Sequence, residues 1–227
     1  MLAFLHTSRV HVETFSRLVR DADDAIPVRH EVQESLLADA LAAGAITDGI
    51  RSATATVVQA LASEGARVIV CTCSTLGGVA EAVAVSDCLV MRIDRPMAEQ
   101  AVASGRRILV VAALQSTFQP TGALLRQIAS DAGRSIDVVE VLCGRAWRLF
   151  ERGDSPGYAG EIARTIEATA LPGDLVLLAQ ASMAPAAELV RHLGIPVLSS
   201  SRSGVEAAVS RYRSRTRHDA AQLRGEP

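Results

Sequence analysis

Short, continuous apolar runs alternate along the chain with longer segments in which apolar residues recur every three or four positions. The runs are typical of buried strands, and the spaced segments are typical of helices with one packed face. Strands are predicted at residues 2–6, 28–32, 67–71, 88–93, 107–113, 135–142, 174–179 and 195–199. Helices are predicted at residues 12–22, 34–43, 48–64, 120–131, 156–170 and 184–192, and from residues 77, 94 and 202 onward. This alternation predicts an α/β fold with parallel sheets and right-handed crossovers.

The second half of the chain repeats the first at an offset of 107 residues, which aligns Thr14 with Thr121 and Glu81 with Glu188. Self-similarity at one offset indicates a duplicated unit. We therefore expect two pseudo-symmetric, flavodoxin-like halves, each with a four-stranded parallel sheet flanked by helices. The first half is expected at residues 1–103 plus 204–227, with the C-terminal helix returning to it, and the second at residues 104–203.

Ligands of open parallel sheets bind beyond the carboxyl ends of the strands, so the loops after the first and third strands are the candidate site. The repeat aligns Cys73 with Gln180 and Thr75 with Ser182, and it predicts that the two sets face each other across a cleft. Small hydroxyl side chains and free backbone amides suit a carboxylate ligand. The candidate residues are His6, Thr7, Ser8, Cys73, Ser74 and Thr75 in the first half, and Ser116, Thr117, Gln180, Ala181 and Ser182 in the second.

Cys73 lies where a buried strand is followed by a turn of small polar residues and then by a helix opened by Gly77 and Gly78. The amides and dipole of a helix N-terminus stabilise negative charge. Such a position lowers the pKa of a thiol below its free value of about 8.5 and makes it a nucleophile or base. Cys71 and Cys88 have strand-like neighbours and are expected to be ordinary buried thiols, an interpretation that also stays open for Cys73.

Composition narrows the chemistry further. The net charge of −2 gives no reason to expect a nucleic acid or an anionic membrane as partner. The four cysteines have no disulfide or zinc spacing, which favours a reducing compartment. The sequence contains no Lys, which excludes a Schiff-base lysine and a P-loop lysine. No signal peptide or transmembrane run is found, so a cytoplasmic location is expected.

The lack of Lys and Asn would suit a GC-rich bacterial genome. The basic tail from Arg211 is expected to be a solvated helix end that frays into disorder.

The two α/β halves and the motif Cys73-Ser74-Thr75 after the third strand resemble the aspartate/glutamate racemase superfamily. This superfamily includes aspartate, glutamate and hydantoin racemases, maleate isomerase and arylmalonate decarboxylase. The resemblance implies a cofactor-independent enzyme in which one thiolate removes an α-proton and a second thiol returns one. The first family motif, Cys-Asn-Thr, matches Cys73 to Thr75, and the first-strand loop matches His6 to Ser8.

The second family motif departs from the pattern, because Gln180 occupies the position of the second cysteine. A glutamine is neither an acid nor a base, whereas a single thiol still supports the decarboxylase and isomerase chemistry that the resemblance implies. We therefore expect a racemase-like isomerase or lyase that acts next to the carboxylate of a small acid or amino acid. Cys73 would be the thiolate base or nucleophile, His6 an orienting group or second acid/base, and amides and hydroxyls would stabilise an enediolate-like intermediate.

Two alternatives remain open at this point. The chain is either a non-catalytic or regulatory protein that binds small carboxylates with the same fold, or an amino-acid racemase whose second base is His6 or Cys143. In each case the expected partner is a small carboxylate, without nucleic acid, membrane or cofactor, and a homodimer is the expected assembly.

Overall fold

The structure is a computed structural model that describes residues 1–224 of the chain. The strands are β1 (Leu2–His6), β2 (Val28–Val32), β3 (Val68–Cys71), β4 (Leu89–Arg92), β5 (Arg107–Ala112), β6 (Asp137–Leu142), β7 (Leu175–Leu178) and β8 (Val197–Ser199). The helices are α1 (His11–Ala22), α2 (Glu34–Ala43), α3 (Asp48–Ser63), α4 (Ser74–Glu81), α5 (Arg95–Ser104), α6 (Phe118–Asp131), α7 (Gly144–Glu151), α8 (Ser155–Thr169), α9 (Ala186–Leu189) and α10 (Ser200–Arg224). Every predicted strand is observed within a few residues of its predicted bounds.

The strands form two four-stranded parallel sheets with the same connectivity. The first sheet has the order β2-β1-β3-β4 and the second the order β6-β5-β7-β8. In the first sheet Leu5 of β1 is in register with Cys71 of β3, and in the second Val111 of β5 is in register with Leu178 of β7. The predicted fold class, two flavodoxin-like halves each built on a four-stranded parallel sheet, is confirmed.

Alternate residues of the first sheet pack on opposite faces, as the pleat of a strand requires. Leu5 and Cys71 belong to a buried cluster formed with α2, α3 and α4. On the other face the ring of Phe4 contacts the ring of Phe15 from α1, with centroids 5.3 Å apart. Both faces of the sheet are therefore covered, which explains why its central strands, β1 and β3, read as nearly continuous apolar runs.

The second sheet is covered in the same way. Leu109 and Val111 pack in a cluster with α7, α8 and α9, whereas Ile108 and Val110 pack in a second cluster with α5 and α6. The chain forms two compact units, one of residues 1–93 together with α10 from residue 202, the other of residues 94–201. Helix α5 thus lies in the second unit rather than in the first, where the sequence boundary had placed it, because its apolar side buries against β5 and β7.

Three local expectations differ from the structure. Helix α4 begins at Ser74, before Gly77, so most of the predicted polar turn is the first turn of the helix. Helix α7 was not predicted, because it is short and rich in arginine around its few apolar residues. Helix α10 continues through Arg224 rather than fraying from Arg211. The part of the predicted frayed tail at residues 225–227 lies outside the described residues. None of the described helices is both long and apolar enough to cross a membrane.

Gly204 of α10 permits a close approach to the end of β4. A Cβ atom at this position would overlap the carbonyl oxygen and the side chain of Ile93. We expect Gly204→Ala to lower the free energy of unfolding by about 1–3 kcal/mol, as overpacking of a buried contact does. Gly49 of α3 is the matched control, because a Cβ there would make only an ordinary contact of 3.7 Å with Thr47.

Urea unfolding followed by circular dichroism measures the effect of both substitutions. Gly49→Ala is expected to leave stability unchanged or to raise it by about 0.4–1 kcal/mol through the lower entropy of the unfolded chain. Equal stabilities of Gly204→Ala and Gly49→Ala would contradict the close packing of α10 on Ile93.

Candidate active site

The carboxyl ends of β1 and β3 lie side by side, because these two strands are neighbours in the first sheet. His6 ends β1, and Nδ1 of its ring lies 2.9 Å from Oγ1 of Thr72, the residue that follows β3. The amide of Thr72 also donates to the carbonyl oxygen of Leu5 at 3.0 Å. The loop of His6, Thr7 and Ser8 and the turn at Cys73 therefore belong to one edge of the sheet, as predicted from the sequence.

Cys73 is the N-cap residue of α4 and has an extended backbone, with φ −93° and ψ 115°. Its exposed fraction is 8%, and its side chain belongs to the apolar cluster with α2 and α3. The carbonyl oxygen of Cys73 accepts from the amide of Leu76 and from the thiol of Cys71, the latter at 3.7 Å. The thiol thus combines a position at a helix start, which favours a thiolate, with burial among apolar side chains, which disfavours it.

Arg92 was missed as a residue of this site. It ends β4 in register with Cys71, and only 4% of it is exposed. A Cβ at Gly77 would lie 3.2 Å from Nε of Arg92, so the guanidinium packs over the start of α4. Gly77 lies in the first turn of α4, the helix whose N-cap residue is Cys73. No local pattern in the sequence connects Arg92 with Gly77, because the two residues meet only through the pairing of β4 with β3.

His6 does not lie at an open loop. Its ring is fully buried, and its two nitrogens contact Thr72 Oγ1 at 2.9 Å and His30 Nδ1 at 2.8 Å. Burial, followed by the nearby rings of His11 and His30, lowers the pKa of His6 to about 3. Burial also lowers the pKa of His11 to about 4 and the pKa of His30. At neutral pH the three rings are uncharged.

In the second unit a side-chain hydrogen bond joins two strand ends at the equivalent edge of the sheet, and we call such a bond a bridge. Oε1 of Gln180 accepts from the amide of Ala113 at 2.6 Å and so joins the end of β7 to the end of β5. This bond fixes the orientation of the amide group, because the oxygen faces β5 and the two Nε2 hydrogens face away from it. Gln180 is therefore an oriented hydrogen-bond donor at the position that the repeat aligns with Cys73.

Tyr158 of α8 is a second residue that the sequence analysis did not find. Its hydroxyl group lies 2.9 Å from Oγ of Ser182, one of the predicted carboxylate ligands. Burial raises the pKa of Tyr158 to about 12, so the phenol is neutral. The sequence shows only the apolar spacing along α8. This spacing predicts that Tyr158 is buried, but it does not predict the contact of its hydroxyl group with Ser182.

Cys143, the alternative second base, follows β6 as the N-cap residue of α7 and lies in the core of the second unit with 3% of its surface exposed. Burial raises the pKa of its thiol above the ordinary value, although a hydrogen bond with Thr165 opposes the shift. A thiol with a raised pKa is scarcely ionised at neutral pH and is a poor base. The pKa of Cys88 is likewise raised by burial.

The remaining predicted residues also lie at strand ends. In the first unit Thr7, Ser74 and Thr75 are buried, and Ser8 is partly exposed. In the second unit Ser116 and Thr117 form a 3-10 helix with Gln115, and Ala181 and Ser182 form another with Met183. Each unit thus brings together its own two predicted loops, whereas the cleft between the two halves stays a prediction. Among the described residues, no group of three or more His, Cys, Asp or Glu side chains is arranged to hold a metal ion.

Comparison with known proteins identifies the family. The family model described as Asp/Glu/Hydantoin racemase matches residues 7–208. The chain therefore belongs to the Asp/Glu/hydantoin racemase family. No significant match is found among curated protein sequences.

Solved structures share the fold at low sequence identity. The aspartate racemase of Picrophilus torridus superposes with a TM-score of 0.69 at 16% identity, covering 92% of each chain. The glutamate racemase of Francisella tularensis in complex with D-glutamate gives a TM-score of 0.64 at 15% identity, covering 92% of this chain and 79% of the other. Arylmalonate decarboxylase gives a TM-score of 0.56 at 17% identity, covering 92% and 91%.

The low pKa values of the buried histidines predict a pH-dependent stability. In the unfolded chain a histidine binds a proton below pH about 6.5, whereas folded His6 and His11 bind one only near pH 3 and 4. Between these values the unfolded state holds more protons, so the free energy of unfolding falls as the pH falls.

Urea unfolding between pH 7.5 and 4.5 measures this slope. His11→Phe keeps an aromatic ring against Phe15 but removes one titrating group, and it is expected to flatten the pH dependence. A free energy of unfolding that is constant over this range in the unmodified protein would contradict the neutral state of these rings.

Proposed function

We propose that this protein is a cofactor-independent enzyme of racemase type, acting at the carbon next to the carboxylate of a small acid or amino acid. Cys73 is its thiolate base or nucleophile. The observation that carries the proposal is the location of Cys73 at the N-cap of α4, after the buried strand β3, in a chain that belongs to the racemase family. The amide groups of the first helical turn would stabilise both the thiolate and the negative charge of an enediolate.

The carboxylate ligands we assign in the first unit are the hydroxyl groups and amides of Thr7, Ser8, Ser74 and Thr75. The same role is proposed for the repeat-related loops of the second unit, which contain Ser116, Thr117, Ala181 and Ser182. Gln180 takes the place of a second acid/base as a neutral donor, since its Oε1 is held by Ala113 and its Nε2 hydrogens remain for an oxygen of the substrate or intermediate.

One thiol restricts the reaction to one face of the reacting carbon. In a decarboxylation the bond to the departing carboxylate breaks, carbon dioxide leaves, and the electron pair stays on an enediolate. The thiol then donates its proton to carbon and is left as a thiolate, which regains a proton from water. In an α-proton exchange the thiolate removes the proton and returns one to the same face, so configuration is retained.

Removal of the thiol tests the role of Cys73. Cys73→Ala is expected to lower kcat/KM on the true substrate by about 10²- to 10⁴-fold, the range of a general acid–base contribution. Cys88→Ala is the matched control, because Cys88 is a half-buried thiol in the same unit with a raised pKa. Turnover that survives in folded Cys73→Ala would overturn the mechanism.

Isotope exchange separates the single-thiol mechanism from a two-base racemase. In deuterated water a single base is expected to place deuterium at the α-carbon of a bound amino acid with retention of configuration. Chiral chromatography with mass spectrometry measures both properties. Deuterium incorporation with inversion would support the alternative racemase, although the buried His6 and Cys143 give that alternative no support as second bases.

A second candidate function is a non-catalytic protein that binds small carboxylates. The burial of Cys73 among apolar side chains favours it. The rate of alkylation by iodoacetamide as a function of pH distinguishes the two functions. A Cys73 thiol that titrates clearly below about 8.5 supports the enzyme, and one that reacts slowly and titrates at or above this value supports the binding protein.

A further inference from the structure

A chain of four polar side chains crosses the first sheet beneath α1. It consists of Ser16, His30, His6 and Thr72, and we call it the Ser16–Thr72 chain. Starting from α1, Ser16 Oγ lies 2.8 Å from His30 Nε2, His30 Nδ1 lies 2.8 Å from His6 Nε2, and His6 Nδ1 lies 2.9 Å from Thr72 Oγ1. Each end contacts a backbone carbonyl: Ser16 Oγ is 2.7 Å from the oxygen of Val12, and Thr72 Oγ1 is 3.2 Å from the oxygen of Leu5.

The number of hydrogens restricts how this chain is arranged. Two hydroxyl groups and two neutral imidazoles supply one hydrogen each to the chain, so four hydrogens serve five contacts. One contact therefore holds no hydrogen. If it were the contact between His6 and His30, two nitrogen lone pairs would face each other at 2.8 Å. The same repulsion between lone pairs applies to the contacts of each ring with its hydroxyl group, so the unfilled contact lies at an end, on a carbonyl oxygen.

The distances decide which end is unfilled. The contact of Ser16 with Val12 is 2.7 Å, whereas that of Thr72 with Leu5 is 3.2 Å. The carbonyl oxygen of Leu5 also accepts from the amide of Thr72 at 3.0 Å, so it is satisfied without the hydroxyl group. Each of the four hydrogens in the chain is therefore donated in the direction of the carbonyl oxygen of Val12. Each ring carries its hydrogen on Nε2 and accepts at Nδ1.

The surroundings of the rings keep this arrangement neutral. His6 stacks on His30 and on Phe4, with ring centroids 5.1 Å and 5.8 Å apart. Two other titratable groups act on the rings, His11 of α1 on His6 and Arg29 of β2 on His30, and both disfavour an additional positive charge. Arg29 in turn pairs with carboxylates of Glu31 and Glu64 at the surface.

We propose that His6 is a positioning residue for the Cys73 turn: as a neutral Nε2–H tautomer it accepts the hydroxyl hydrogen of Thr72 and thereby fixes the residue that precedes Cys73. Thr72 is then held to β1 at two points, by its amide on Leu5 and by its hydroxyl on His6. Thr72 contacts His6, whereas the side chain of Cys73 packs in the apolar cluster with α2, α3 and α4. We therefore infer that His6 acts through the backbone rather than by proton transfer to the thiol. The inference deepens the proposed function and rests on it only for the importance of the Cys73 turn.

Nuclear magnetic resonance of protein with 15N-labelled histidine tests the tautomers directly. At pH 7.5 we expect protonated Nε2 and unprotonated Nδ1 in both His6 and His30, and we expect His6 to keep this state down to pH 5. An Nδ1–H tautomer, a mixture of tautomers, or an imidazolium ion at either residue at pH 7.5, or at His6 down to pH 5, would overturn the proposal. This result does not depend on any reaction, so it stands or fails separately from the proposed function.

A pair of substitutions at Thr72 tests the positioning. Thr72→Val keeps the shape of the side chain but removes the hydroxyl group, whereas Thr72→Ser keeps the hydroxyl group. In Thr72→Val the 15N shift of His6 Nδ1 is expected to move toward that of an unbonded nitrogen, and alkylation of Cys73 by iodoacetamide is expected to become about tenfold faster. Thr72→Ser is expected to retain the wild-type tautomers and an alkylation rate within twofold.

Equal alkylation rates in folded Thr72→Val and Thr72→Ser would overturn the positioning role. If Thr72→Val does not fold, Thr72→Ser carries the test, because altered tautomers or a clearly altered alkylation rate in that variant would contradict the proposal. Activity that survives Cys73→Ala would overturn the catalytic role of the thiol. The histidine tautomers and the alkylation rates of the Thr72 variants would still test the positioning role, because neither measurement depends on turnover.

Discussion

The pairing of the first strand with the third in each parallel sheet is the constraint on which the candidate site depends. In both units it brings two strand ends together, and in both units a side-chain hydrogen bond joins those ends. His6 contacts Thr72 in the first unit, and Gln180 contacts the amide of Ala113 in the second. Strand order alone would place the loops near each other, and these two bonds fix them at hydrogen-bond distance.

The two bridges use different positions of the repeat, and the difference has chemical consequences. In the first unit the bridge is made by Thr72, which leaves the next residue, Cys73, outside it. In the second unit the residue aligned with Cys73, Gln180, makes the bridge itself. The same backbone fold therefore presents a thiol after β3 in the first unit and an oriented, neutral amide after β7 in the second. For this reason we favour chemistry on one face of the substrate over racemisation with two thiols.

Burial determines the state of most titratable groups near the site. The rings of His6, His11 and His30 are held neutral by desolvation, and the same effect keeps Cys143 and Tyr158 protonated. Neutral groups with fixed hydrogen bonds orient their neighbours but do not exchange protons readily. Cys73 and Cys143 are each the N-cap residue of an eight-residue helix. At the helix that follows Cys73, the guanidinium of buried Arg92 also packs beside Gly77, which places a further source of positive potential close to the Cys73 turn.

The sequence by itself determined the strands, their parallel arrangement, the duplication and which loops lie at the strand ends of the candidate site, because these follow from apolar periodicity and from the topology of parallel sheets. It also pointed to Cys73 through the resemblance to the racemase family. It did not reveal α7, the early start of α4 at Ser74, or the packing of α5 on the second sheet, since these depend on which apolar surfaces meet.

The contacts that the site residues make with other side chains were equally hidden from the sequence. His30 and Ser16 lie on elements distant in sequence from Thr72, Tyr158 lies on α8 far from Ser182, and Arg92 meets Gly77 only because β4 pairs with β3. Only the tertiary structure decided that His6 is buried with both nitrogens bonded, because hydrogen bonds between strands and helices are set by three-dimensional register and not by local pattern.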